Sequence, residues 1–220
     1  MEPITLTPGA TSQLESTLSG LQHFTRANPL PADSTHTPHA HRLTLQVAHN
    51  LRHQHNWTHL RLHHDASPQV PSQRLPRPVI SGLPPRRLYT HPDEQIEILQ
   101  RQRGQGKTGL PDVAPEREWV VPSHLREPWS LRRFAEVFDA LAAVPVEGEG
   151  RGLEFGAGDG RGKVGDGEGG KGENGVAGSG ADGNPWRTGQ PKRVLLATVD
   201  QDSTVVYYIV HDGIVKPRQN

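Results

Sequence analysis

Two β-rich runs near the end of the chain constrain its fold more than anything else. Arg193-Val194-Leu195-Leu196-Ala197-Thr198-Val199 and Thr204-Val205-Val206-Tyr207-Tyr208-Ile209-Val210 are separated by four polar residues, Asp200 to Ser203. Apolar, β-branched and aromatic stretches at that spacing predict a β-hairpin from Arg193 to Val210. A strand half in water would alternate apolar with polar residues, whereas the second strand is apolar on both faces. It is therefore expected to be covered on both sides. Its place near the end of the sequence suggests that another subunit supplies part of that cover.

The rest of the composition limits how much else can fold. Apolar residues are 32% of the 220, alongside 24 glycines and 20 prolines. Such a chain buries little surface against its ordering entropy. This favours one modest domain, over 40–217, with a disordered tail at 1–38. A flexible insertion is expected at about 147–190, where seventeen of the glycines lie. The 24 basic and 24 acidic residues balance, which argues against a solitary polyanion binder. The absence of cysteine rules out disulfides, thiol catalysis and thiolate metal sites. No apolar run approaches a membrane span, so a soluble intracellular protein is the expectation.

Within the domain, Leu43, Val47 and Leu51 recur every four residues on a helix from Ala40 to about His55. Trp57 to His63 alternates as a strand. Pro78 to Gly82 is a second strand and Glu118 to Pro122 a third. His91-Pro92-Asp93-Glu94 marks a helix start whose buried stripe is Ile96, Leu99 and Ile98. Ser130 caps an amphipathic helix whose core face is Leu131, Phe134, Ala135, Phe138, Leu141 and Ala142. A short helix is expected around Gln13 to Phe24.

Several motifs carry chemistry only weakly. Gly104-Gln105-Gly106-Lys107-Thr108 ends like a phosphate-binding loop, but a helix precedes it and Leu110-Pro111 follows. Leu153 to Gly160 resembles the glycine-rich turn of S-adenosylmethionine-dependent methyltransferases, without the helix that should leave it. His49, His53, His55, His59, His63 and His64 crowd together, yet no Cys or Glu accompanies them, so exposed polar side chains are the favoured reading. His124, Lys192 and His211 are the candidates for metal-free acid–base cleavage of RNA, with no sequence feature uniting them.

Leu195 through Tyr208, with the run Asp202-Ser203-Thr204-Val205-Val206-Tyr207-Tyr208 and then Asp212-Gly213, resembles the C-terminal end of the tRNA-splicing endonuclease family. The best match is its small non-catalytic Sen-fifteen-type subunit in fungal form. His49 to His59, Ile80 to Glu94 and Trp119 to Phe138 look similar to the same subunit. The resemblance implies an α/β fold, a mixed sheet flanked by helices, of the endonuclease C-terminal type. It also implies pairing through the last strand and docking of an acidic loop into a partner's basic groove. The matching residues are Thr204, Val206, Tyr207, Tyr208 and Val210 on the strand, and Asp200 and Asp202 in the loop. Catalytic members carry a Tyr, His and Lys triad. Lys192 falls about where that Lys belongs, but no Tyr lies between Tyr89 and Tyr207 and no His between His124 and His211.

The resemblance thus implies a non-catalytic structural subunit of a heterotetrameric complex that excises introns from precursor tRNA. The complex's cut leaves a 2′,3′-cyclic phosphate and a 5′-hydroxyl. The expected location is the nucleus, or else the cytosolic face of the mitochondrial outer membrane. No cofactor, metal or catalytic residue is expected. The alternatives are a homodimeric adaptor, a stand-alone nuclease and a methyltransferase.

Overall fold

The computed structural model describes residues 18–65, 74–106, 113–156 and 184–215. In chain order these form α1 (Gly20–Ala27), α2 (Pro38–His53), β1 (Thr58–His63), β2 (Val79–Leu83), α3 (Pro92–Gly104) and β3 (Glu118–His124). There follow α4 (Leu131–Ala140), β4 (Arg151–Gly152), α5 (Pro185–Thr188), β5 (Arg193–Val199) and β6 (Val205–His211). The strands make one sheet in the order β4-β1-β2-β3-β5-β6. Only β3 and β5 run parallel, so the sheet is mixed, flanked by helices as expected.

Alternation along the central strands sorts the core into two layers. Ile80, Val120, Leu195 and Ala197 face one way, where Phe24, Leu43, Leu45, Val47 and Leu51 of α1 and α2 cover them. Val79, Trp119, Val121 and Val194 face the other way, against Val137, Phe138, Ala140 and Leu141 at the end of α4. Both faces of β5 are thus buried, which explains its unbroken apolar run.

β1 needs a correction of phase. Trp57, Leu60 and Leu62 all pack in the α2 layer, although Trp57 and Leu60 have opposite parity. The pairing of β1 with β2 slips by one residue between Thr58 and Arg61, and His59 adopts a positive φ of 50°. That bulge inserts the extra residue that realigns the face. Opposite it, a Cβ on Gly82 would come within 2.6 Å of Leu60 Cδ2, so only glycine lets Trp57 and Leu60 lie flat on β2.

The short helix expected around Gln13 to Phe24 appears, in its described part, as α1, closed by a Ser19–Gln22 capping box and burying Phe24. Two other expectations need revision. Helix α3 buries Glu94 and leaves Ile96 53% exposed, the reverse of the expected stripe. Helix α4 uses only its last turns as core, since Leu131 is 89% exposed and Ala135 also lies at the surface.

The described ends of the glycine-rich region are docked. Phe155 stacks on Phe24 with ring centroids 4.6 Å apart. The Asn28 side chain exchanges hydrogen bonds with the Glu154 backbone. On the far side, Trp186 stacks on His91 and donates to Glu97. Residues 1–17 of the expected tail and 157–183 of the expected insertion lie outside the described residues, as do Lys107 and Thr108.

Candidate functional site: an open strand edge and its acidic turn

Strand β6 pairs with β5 along its whole length, from Val199↔Val205 to Arg193↔His211. Among the described residues no strand lies beside its other edge. Side chains alternate along it. Val205 and Tyr207 pack into the α2 layer. The Tyr207 hydroxyl donates to Asn50 Oδ1 at 2.6 Å and its ring meets His55 edge-on. Burial pushes the Tyr207 hydroxyl pKa up.

The opposite face is open. Val206 is 45% and Tyr208 53% exposed, while Val210 is half-buried opposite Val194. Ile209, on the Tyr207 face, is 40% exposed as well. The expected cover on both sides is therefore present on one side of the isolated chain.

The turn is built by its own side chains. Ser203, at φ 69°, takes the left-handed position. Asp202 Oδ1 accepts from the Thr204 amide at 2.9 Å, and Asp200 Oδ1 from the Gln201 amide at 2.7 Å. The hydrogen bonds from Thr204 hold the Asp202 carboxyl below its ordinary pKa. Asp200, Asp202 and Thr204 are all exposed. Sequence reasoning placed Tyr207 among the partner-facing residues, but in this chain its side chain is committed to α2. Asn50 and His55, which hold it, were not anticipated. Their spacing from Tyr207 carries no local signal.

The acid–base candidates do not converge. Lys192 Nζ donates to the Phe138 carbonyl at 2.7 Å, closing the C-terminus of α4. Cations at that helix end satisfy orphan carbonyls and complement the dipole. His124 pairs with Val199 at the far end of β5, whereas His211 pairs with Arg193. Six residues of strand separate those positions, roughly 20 Å. His124 Nδ1 accepts from the Arg126 amide, and the His211 ring stacks edge-on against Tyr89.

The histidines scatter too. His49 and His53 meet at a tilt with ring centroids 4.3 Å apart, His55 meets Tyr207, and His59 occupies the bulge. His64 bonds His41 ring to ring at 3.2 Å. His63 is buried rather than exposed, with Nε2 2.9 Å from Ser81 Oγ. Among the described residues no three potential metal ligands gather.

Beneath the lower end of β6 lies a buried ion network. Glu118 meets Arg193 and Arg187, Glu116 meets Arg193 and Arg87, and Arg87 reaches Glu94 at 2.6 Å. Burial disfavours the Arg193 charge, but its hydrogen bonds and charge pairing with Glu118 and Glu116 outweigh this and raise its pKa. Arg187 is buried with weaker compensation, so its pKa is lowered. The network ties α3, β3, α5 and β5 into one body.

These features define a mixed α/β domain whose strand β6 leaves apolar side chains exposed. The chain belongs to the Sen15 protein family, whose model matches residues 46–151 and 182–220. It is 43% identical over 183 residues to a probable tRNA-splicing endonuclease subunit, tsp-1, of Neurospora crassa, covering 83% of this chain and 67% of the relative. It is 25% identical over 118 residues to a probable tRNA-splicing endonuclease subunit, sen15, of Schizosaccharomyces pombe, covering 51% of this chain and 59% of the relative.

Proposed function

We propose that this protein is a non-catalytic structural subunit of the tRNA-splicing endonuclease complex and that it pairs with a catalytic subunit through β6. The observation that carries the reading is the open edge of β6 with Val206, Tyr208 and Ile209 exposed. A flat apolar edge strand is a template for pairing with another chain, and proteins that remain alone blunt such edges with charge or proline. The strand supplies pairing, and the carboxylates of Asp200 and Asp202 supply charge at the rim of the contact. The engagement of Lys192 with the Phe138 carbonyl supports the non-catalytic part. The partner then contributes the nuclease chemistry, and precursor tRNA is met through a heterotetramer, placed in the nucleus.

The test is reconstitution with purified partner subunits. Val206→Lys together with Tyr208→Lys is expected to reduce co-purification at least tenfold with little change in thermal midpoint. Asp200→Asn with Asp202→Asn, which keeps the acceptor for the Thr204 amide, is expected to weaken association less and to lower its salt dependence. Undiminished co-purification of the lysine variant would overturn the pairing, and cleavage of precursor tRNA by the chain alone would overturn the non-catalytic role. Light scattering that shows a stable dimer of the chain even with partners present would favour the homodimeric adaptor.

A further inference from the structure

A second surface lies around the corner from β6. Where α1 and α2 meet the β5–β6 turn there is a half-open cavity of about 640 Å³. This is within the usual range for a ligand pocket. Its lining is mainly apolar, with Leu21 of α1, Leu43 of α2 and Val199 of β5 contributing. Cationic and N–H-bearing groups surround these: Arg26, Arg42, His39 and His124. The His124 Nδ1 accepts from the Arg126 amide, which leaves Nε2 to carry the ring hydrogen. Among the described residues Asp200 is the only carboxylate lining the cavity.

We propose that this cavity receives an acidic segment of a protein partner, one that also carries apolar side chains. The inference rests on the subunit reading and adds a contact separate from the β6 edge. Arginine is matched in charge by carboxylates, and a low-dielectric wall focuses that attraction. The apolar lining favours a peptide over RNA, because a sugar-phosphate backbone offers nothing to fill it. Because Asp200, Gln201 and Ser203 form one wall, an occupant would lie directly against the turn that feeds β6. The same partner could thereby hold the strand and the turn together.

The experiment places a photo-crosslinking amino acid at Gln46, which lines the cavity, and separately at Tyr208 on β6. Each full-length variant is assembled with purified partner subunits and precursor tRNA, irradiated, and mapped by mass spectrometry. The Gln46 probe is expected to join a partner-subunit peptide rich in Asp and Glu. Arg42→Glu, a change at an exposed residue, is expected to cut that yield at least fivefold without lowering the thermal midpoint. Crosslinking to RNA, to this chain's own residues 1–17, or to a neutral or basic partner peptide would overturn the proposal. So would an absent Gln46 product when the Tyr208 probe still captures a partner, which would leave the β6 reading standing. Absence of both products would overturn the two together.

Discussion

The Tyr207 hydroxyl donates a 2.6 Å hydrogen bond to Asn50 Oδ1, fastening the edge strand to α2. Asn50 in turn donates to Gln54 at the surface, so water can reach the acceptor if the hydroxyl is lost. Tyr207→Phe keeps the ring against His55 and removes only the bond. It is expected to cost about 1 kcal/mol, the usual net worth of one hydrogen bond, read as a lower urea midpoint with unchanged slope. A loss above roughly 3 kcal/mol would mean that the bond organises more of the sheet than its own strand.

Lys192 offers a sharper separation of stability from chemistry. Its ammonium satisfies the Phe138 carbonyl at the end of α4. Lys192→Met is expected to lower stability by about 1–2 kcal/mol, as befits a charged hydrogen bond at a helix C-terminus. Precursor cleavage by the assembled complex should stay within about twofold of normal once assembly is complete. A large loss of cleavage without loss of stability would return Lys192 to the chemistry.

The ion network predicts an asymmetry between buried and exposed pairs. Glu118→Gln would leave Arg193 and Arg187 facing each other with their main counter-charge gone. Removing one member of a buried pair costs on the order of 3–5 kcal/mol. Arg101→Ala breaks an exposed pair with Glu97 one helical turn away and should cost no more than roughly 0.5 kcal/mol. Denaturant titration of the two variants side by side checks the ordering. Equal effects would refute it.

Acid should weaken the fold in a defined window. Burial, reinforced by the charges of Arg61 and Arg117, lowers His63 from 6.5 to about 4. Burial, with the neighbouring rings of His41 and His36, lowers His64 to about 4. Both rings fold neutral and bind protons more readily when unfolded. Stability is therefore full above pH 6.5 and falls as pH drops from 6.5 toward 4. Each such ring contributes a slope of at most about 1.4 kcal/mol per pH unit. Thermal midpoints measured from pH 7.5 to 4.5 should decline. His63→Gln, which can still bond Ser81, should flatten the decline, and a midpoint flat in the parent protein would contradict this account.

Much of the sheet could be read from the residues because burial leaves a periodic trace. The β5–β6 hairpin, β2 and the α2 stripe at Leu43, Val47 and Leu51 follow directly from apolar spacing. Periodicity states which side chains share a face, but not how far the neighbouring layer extends. Leu131 shares a face with Phe138, yet it lies 89% exposed while Phe138 is buried. Helix α3 fails for a different reason. Arg87 and Asn184 draw Glu94 inward, and Asn184 arrives from 90 residues away. The candidate edge was legible as a hairpin, but the division of labour between Tyr207 and Tyr208 depends on where α2 ends over the sheet.

The bulge at His59 has a consequence for how this chain can change. Between Trp57 and Leu60 the protein keeps three steps where strict pleating would need an even number, and the positive φ of His59 absorbs the difference. A β-branched residue at His59, which resists that φ, would restore regular pleating over three steps and turn either Trp57 or the Leu60–Leu62 pair out of the core. Deletion of His59 would instead leave two steps and keep both on one face. That stretch of β1 is limited by backbone conformation before it is limited by length, so His59→Val should be tolerated less well than loss of the residue.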